Sequence, residues 1–428
     1  MEICGKREMD LLEKIGFTRI AGSAEEEKAA QILKAECDAL GVPAIIEPFE
    51  IEQGIVEEAK LEILEPFHQE YPVTGYQCAE NTPEEGLTAD FLYVENATDV
   101  NLSDAKGKIV LVNGFMRVPL FRKLIKAGVA GIVTMEGQLR DDRQETDLAT
   151  RKLRRTLRAF GNVPMVHTRV LDAIDMVRKG ACKARIVLKG HTEERTSHNV
   201  VATVLGTEHP EQIVSFGAHY DSVAFSKGVY DNGAGSVINM EILRYFQENP
   251  PKRTLKFMWY GSEEIGLEGS WAYVKAHKDE LKDHLLMINV DVGGPVLGVD
   301  RITATAEDKL STYLEYFTKI NGFSAEVKQG IYSSDSIPFA DSGVPGVNFY
   351  RAGAEGAPGA AYIHNRFDTL SFLSAEMLQK TTEIVLAFSK EMANAKVLPV
   401  DRKIPQNIAE GVEKYLYKKE LSEAAEES

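Results

Sequence analysis

The chain has 428 residues, 44% hydrophobic and 27% charged, enough for one large core and a second domain. With 49 basic against 65 acidic residues it carries a formal charge of −16, which disfavours nucleic acid and anionic membrane as partners. Cys4, Cys37, Cys78 and Cys182 form neither a CxxC pair nor a disulfide framework, the N-terminus lacks a signal-type apolar core, and no window reaches the roughly 18 apolar residues of a membrane span. A cytoplasmic protein is expected.

In chain order, Met1 to Phe17 reads as a first helix, with Leu11, Leu12 and Ile15 on one side. Gly22-Ser23 interrupts it, and Ser23 with Glu26 three residues on predicts a capping box for a helix over Ala24–Leu40. Val42 to Ile51 then reads as a strand. From about Glu57 to Thr192 short strand-like runs (Leu61–Leu64, Ile109–Val112, Gly131–Val133, Arg185–Leu188) alternate with turns and a helix, Val118–Ala127. A basic segment, Arg151 to Arg158, reads as a solvated helix face in preference to an anion site.

After Ser197 strands and helices alternate: Asn199–Leu205, Ile213–Ala218, a helix over Gly233–Gln247, Leu255–Tyr260, a helix over Gly269–His277, then Leu285–Asp291. Near-continuous apolar strands separated by helices predict a mostly parallel sheet flanked by helices on both faces. Ser374 to Met392 is a long amphipathic closing helix. Beyond Val400 the chain holds seven acids and five bases. The expected organisation is α/β: a discontinuous main domain over 1–56 and 193–400, an inserted β-rich α+β domain over 57–192, and a charged tail over 401–428.

In open α/β sheets ligands collect at the carboxyl ends of strands. Ile213–Ala218 delivers His219 and Asp221, and Asp231-Asn232-Gly233 follows. Leu255–Tyr260 leads through Gly261-Ser262 to Glu263 and Glu264, Leu285–Val290 ends at Asp291, and a loop after Pro345–Tyr350 carries His364. Two imidazoles and three carboxylates (His219, His364, Asp231, Glu264, Asp291) can hold two zinc ions with one carboxylate shared. Glu263 is left over beside a ligand, which suits a general base, and Asp221 can orient the His219 ring. Each residue alone reads as a cap or a satisfied core group; their joint arrival at four strand ends does not.

G-A-H-Y-D-S (217–222), Y-D-N-G-A-G (230–235), W-Y-G-S-E-E-I-G-L-E-G-S (259–270), N-V-D-V-G-G (289–294), S-D-S-I-P-F-A-D-S-G-V-P (334–345) and H-N-R-F-D-T (364–369) closely resemble zinc aminopeptidases of metallopeptidase family twenty-eight. R-I-A-G-S (19–23) is similar to an N-terminal element of that family. The resemblance implies a di-zinc aminopeptidase acting on peptides with a free N-terminus. His219 and Asp291 would hold one zinc and Glu264 and His364 the other, with Asp231 bridging. Glu263 would act as base on a metal-bridging hydroxide, with Asp221 orienting His219. It also implies a cis bond at Asp231–Asn232. G-K-I-V-L-V (107–112), K-A-G-V-A-G-I-V (126–133) and N-V-P-M-V (162–166) make the insert similar to a protease-associated (PA) domain.

Two positions depart from the family pattern. Ser336 stands where relatives usually have histidine. Ile363 stands where some have a carbonyl-polarising tyrosine, a role open to Tyr332, Tyr350 or Tyr362. Arg366 is available to a substrate carboxylate or a surface ion pair. A carboxypeptidase or small-amide hydrolase, and a non-catalytic binding protein, are the alternative readings.

Overall fold

In the computed structural model, residues 2–137, 142, 146–353 and 363–427 are described. The chain divides into two compact units, one of residues 1–51 and 196–416 and one of residues 52–195 and 417–428. Among the described residues no helix is long and apolar enough to cross a membrane.

The first unit is built on strands β1 (Lys183–Val204, its later part), β2 (His209–His219), β3 (Arg253–Tyr260), β4 (His284–Val290), β5 (Val299–Thr305), β6 (Ala325–Gln329) and β7 (Gly346–Ala352). Their order across the sheet is β6-β5-β7-β4-β2-β3-β1. Strands β7, β4, β2 and β3 run parallel, whereas β1 and β5 pair antiparallel with β3 and β7. The alternation of apolar runs and helices in the sequence becomes this mostly parallel sheet. All eight residues of β3 are buried, as expected of a strand covered on both faces.

Helices α1 (Gly5–Ile15), α2 (Ala24–Ala39), α3 (Ala234–Glu248), α4 (Glu268–Ala276), α5 (Asp308–Ile320), α6 (Ser336–Asp341), α7 (Ala375–Asn394) and α8 (Gln406–Tyr415) accompany the sheet. Leu11, Leu12 and Ile15 of α1 join Val237 and Ile238 of α3 and Val385 and Phe388 of α7 in one core with Phe216, Phe257 and Trp259. The capping box forms only by half. The Ser23 hydroxyl accepts the Glu26 amide at 3.1 Å, but the Glu26 side chain turns to the Gly22 amide at 2.7 Å.

In the second unit, strands Leu87–Tyr93, Ile109–Leu111, Gly131–Glu136 and Met165–Arg169 pair in parallel in that order. Thr74–Gln77 pairs antiparallel with the last of them. Helices Val118–Lys126 and Val170–Arg178 pack here. The basic segment is not one helix: Arg151–Lys152 is strand and Arg155–Arg158 a single turn. Its charges pair with acids, Arg158 and Arg155 with Glu52 and Arg151 with Glu136. The 401–428 segment is largely helical. Ile408 and Val412 of α8 are buried against Leu267 and Ile337, and Glu423 of Lys418–Glu427 pairs with Arg122 at 2.8 Å.

Candidate metal centre

Strands β2 and β3 align so that His219 and Tyr260, the last residue of each, are register partners. The chain beyond each strand end therefore opens at one level of the sheet, together with that beyond neighbouring β4. Asp231 arrives differently, on a distorted helical turn, Val229–Gly233, that leads into α3 and contains a cis bond between Asp231 and Asn232. The Asn232 side chain fixes this turn to the end of β4, donating to the Val290 carbonyl at 2.9 Å and accepting the Val292 amide at 3.0 Å. Gly235 is required here: a Cβ would lie 2.3 Å from the Val290 carbonyl oxygen.

Two clusters result. His219 Nε2 lies 3.2 Å from Asp231 Oδ1 and 3.6 Å from Asp291 Oδ1. His364 Nε2 lies 3.1 Å from Asp231 Oδ2 and 3.1 Å from Glu264 Oε2. Asp231 is common to both and presents a different oxygen to each. Within each cluster one atom per residue can approach a single cation. This imidazole and carboxylate donor set suits zinc. The same surroundings hold Glu263, Asp221 and Asp335, so acids greatly outnumber the two imidazoles, and a bound cation would offset their mutual repulsion.

Electrostatics follow from this crowding. Burial, reinforced by Glu264, Asp335 and Asp291 and opposed by His219, raises the Glu263 carboxyl well above the usual range. Glu264 is raised by burial and Asp231. Burial would raise Asp231 as well, but hydrogen bonds from His219 and His364 outweigh it and hold its carboxyl low. Both imidazoles are raised against the effect of burial, His219 by Glu263 and its three aspartate neighbours and His364 by Glu264 and Asp231.

Asp221 is fully buried with Oδ1 3.3 Å from His219 Nδ1. It also accepts the amides of Glu263 at 3.0 Å and Glu264 at 3.2 Å, a second task that sequence spacing did not suggest. The turn it holds carries three left-handed residues, Ser262 (φ 58), Gly266 (φ 133) and Leu267 (φ 62). A non-glycine residue in that region costs on the order of 1–3 kcal/mol, and such strain collects at functional sites.

Sequence reasoning gave no role to three further groups. Asp368 accepts the Tyr230 amide at 2.8 Å and the Asp231 amide at 3.2 Å, and burial pushes its carboxyl up to about 6. Arg19, fully buried, donates to the carbonyls of Tyr220 at 2.5 Å, Lys227 at 2.7 Å and Gly228 at 2.8 Å, stapling the His219–Asp231 loop. Asp335 is fully buried, and its carboxyl is pushed up to about 7 by burial. The signal was present in F-D-T, R-I-A-G-S and S-D-S, but nothing local says which distant amide or carbonyl each would meet. Tyr332 stacks on Tyr350 at 4.4 Å between ring centroids, near Asp291 and Asp231, and Tyr362 lies outside the described residues.

Imidazoles and carboxylates gathered at the carboxyl end of a mostly parallel α/β sheet are the donors of a candidate metal centre. Residues 199–389 match the profile of peptidase family M28, and this similarity supports a metallo-exopeptidase, a hydrolase of peptide bonds. It is 28% identical over 408 residues to aminopeptidase YwaD of Bacillus subtilis, covering 91% of this chain and 84% of that one. Human carboxypeptidase Q is 27% identical over 298 residues, 66% of this chain and 63% of its own length. The fold matches that of BSAP, a zinc aminopeptidase from Bacillus subtilis, with TM-score 0.77 and 24% identity over 95% of this chain and 99% of that one. An aminopeptidase from an Aneurinibacillus strain superimposes with TM-score 0.73 at 23% identity, covering 94% and 96%.

Proposed function

We propose that the protein is a di-zinc aminopeptidase that removes N-terminal residues from peptides with a free amino group. The reading is carried by one observation: two clusters of zinc-type donors meet at the two oxygens of Asp231. His219 and Asp291 would hold one ion and Glu264 and His364 the other. When bound, the ions supply Lewis acidity toward the scissile carbonyl and make water acidic enough to react near neutrality.

The chain supplies the rest. Glu263 takes a proton from the attacking water and returns it to the leaving amine. Asp221 holds His219 and, through two backbone amides, the turn carrying Glu263 and Glu264. Surplus carboxylate charge attracts a substrate α-ammonium group. We extend the proposal to residues 57–192 as a PA domain that contributes no metal ligand.

The test is a panel of aminoacyl-coumarin substrates, free and N-acetylated, with the zinc-loaded full chain. Hydrolysis confined to free amines is expected. Similarity to carboxypeptidase Q motivates a second reading, which predicts that N-blocked peptides are cleaved and C-blocked ones are not.

A further inference from the structure

The N-terminal segment reaches the site through Glu26, the third residue of α2, which does not complete its own capping box. Its Oε2 accepts the Gly22 amide at 2.7 Å, and its Oε1 faces the hydroxyls of Ser197 and Ser262, each at 3.0 Å. Those two hydroxyls lie 2.8 Å from one another. Ser197 and Ser262 are fully buried, as is Glu26.

Ser262 is the residue on which the chain turns from β3 into Glu263 and Glu264, and it does so in the left-handed region. On its far side the turn hangs from Asp221 by the two glutamate amides. On its near side it rests on Glu26. Asn199 completes the seat, accepting the Gly261 amide at 3.3 Å and donating to the Gly269 carbonyl at 2.8 Å. Gly261 has no room for a side chain: a Cβ would lie 2.6 Å from Ser197 Oγ and 2.8 Å from Glu26 Oε1. The turn is thus gripped from both sides.

Proton counting agrees with this arrangement. Three oxygen–oxygen contacts link Glu26 Oε1, Ser197 Oγ and Ser262 Oγ, and the two hydroxyls bring two protons. A protonated Glu26 brings the third, a state that burial favours by pushing its carboxyl up to about 8. A glutamine amide in its place offers an N–H toward the hydroxyls and a carbonyl toward Gly22.

We propose that Glu26 is a positioning residue that acts through Ser262, fixing the turn that presents Glu263 to the substrate and Glu264 to the metal. The proposal rests on the reading of Glu263 as base and Glu264 as metal ligand.

Its test uses the full zinc-loaded chain with Glu26→Ala, Glu26→Gln and Ser262→Ala. The readouts are kcat and KM, zinc content, and amide hydrogen exchange over residues 261–268. Both alanine variants should lower kcat by roughly 10–100-fold with KM within about threefold, because a catalytic group displaced by about 1 Å loses rate on that scale. Both should also speed exchange in the turn with zinc retained. Glu26→Gln should stay within about threefold of the parent in kcat and exchange at the parent rate. Parent-like kcat and exchange in the alanine variants, or a glutamine variant as impaired as alanine, would overturn the proposal. If Glu26→Ala fails to fold, Ser262→Ala decides, since it leaves the cap of α2 intact. A parent chain without peptidase activity, or an active Glu263→Gln variant, would refute the reading of the site. The exchange measurement would still decide whether Glu26 holds the turn.

Discussion

Each unit buries a histidine between a carboxylate and a hydrogen-bonding neighbour, and the two environments have opposite meanings. In the second unit His167 sits between the Thr134 hydroxyl at 2.7 Å and Glu136 at 3.0 Å. Arg151 then pairs with that glutamate at 2.5 Å, and the Tyr76 hydroxyl meets Thr134 at 2.9 Å. Every charge there has an opposite. In the first unit His219 faces Asp221, Asp231 and Asp291, and the carboxylates accumulate around it and His364, while the buried Arg19 guanidinium nearby is engaged with backbone carbonyls. A buried histidine beside an acid is therefore no sign of a site. The sign is an excess of acid that the protein leaves for a cation to balance.

The strongest way to break this contrast is Asp231→Ala, which removes the group common to both clusters. Zinc content measured on the dialysed protein should fall toward zero and hydrolysis toward background; a variant holding two ions would remove the bridging role. Next, Glu263→Gln should retain zinc while hydrolysis drops by roughly 10²–10⁴-fold, the usual scale for a general base. Near-parental turnover would exclude it. Chelation should lower the melting temperature of the first unit alone, since free zinc at 100 times its Kd contributes about 2.7 kcal/mol. Scanning calorimetry with and without chelator checks this, and equal shifts in both units would weaken the contrast.

His167→Gln should leave kcat/KM unchanged and lower stability by about 1–3 kcal/mol, the scale for unpairing buried polar groups. Glu8 yields the smallest effect. Burial pushes its carboxyl up to about 8, with Thr382 donating to it and Glu241 nearby. A raised folded-state value means that its contribution is fully present below the ordinary 4.5 and is lost as pH rises through about 8. Melting curves from pH 6 to 9 should therefore decline less for Glu8→Gln than for the parent.

Much of the first unit's sheet was legible because burial on both faces leaves uninterrupted apolar runs such as Leu255–Tyr260, and a strand that leads into the donor clusters ends in a polar residue or runs on to one. His219, Glu264 and Asp291 were visible for that reason. Strands Val299–Thr305 and Ala325–Gln329 lie at the sheet margin, where the pattern is mixed, and were not picked out. Helix α5 was also missed, between two strands that carried no clear signal. In the site the opaque residues are those whose partners are backbone groups far along the chain. Asp368 holds the Tyr230 amide 138 positions away, and Arg19 the Gly228 carbonyl 209 positions away. The Glu26 side chain was misassigned because helix-end logic is local and a hydroxyl 236 residues downstream competed for it.

Those spans bear on how the protein is made. Arg19 and Glu26 leave the ribosome well before their partners: the loop and turn they hold come only after the whole insert, and Asp368 later still. At about 5–20 residues per second, the N-terminal helices wait on the order of tens of seconds for their partners. Closing so long a loop adds little equilibrium cost, because that cost grows only with the logarithm of length. The exposure is kinetic: through that interval the apolar faces of α1 and α2 have no sheet to cover them.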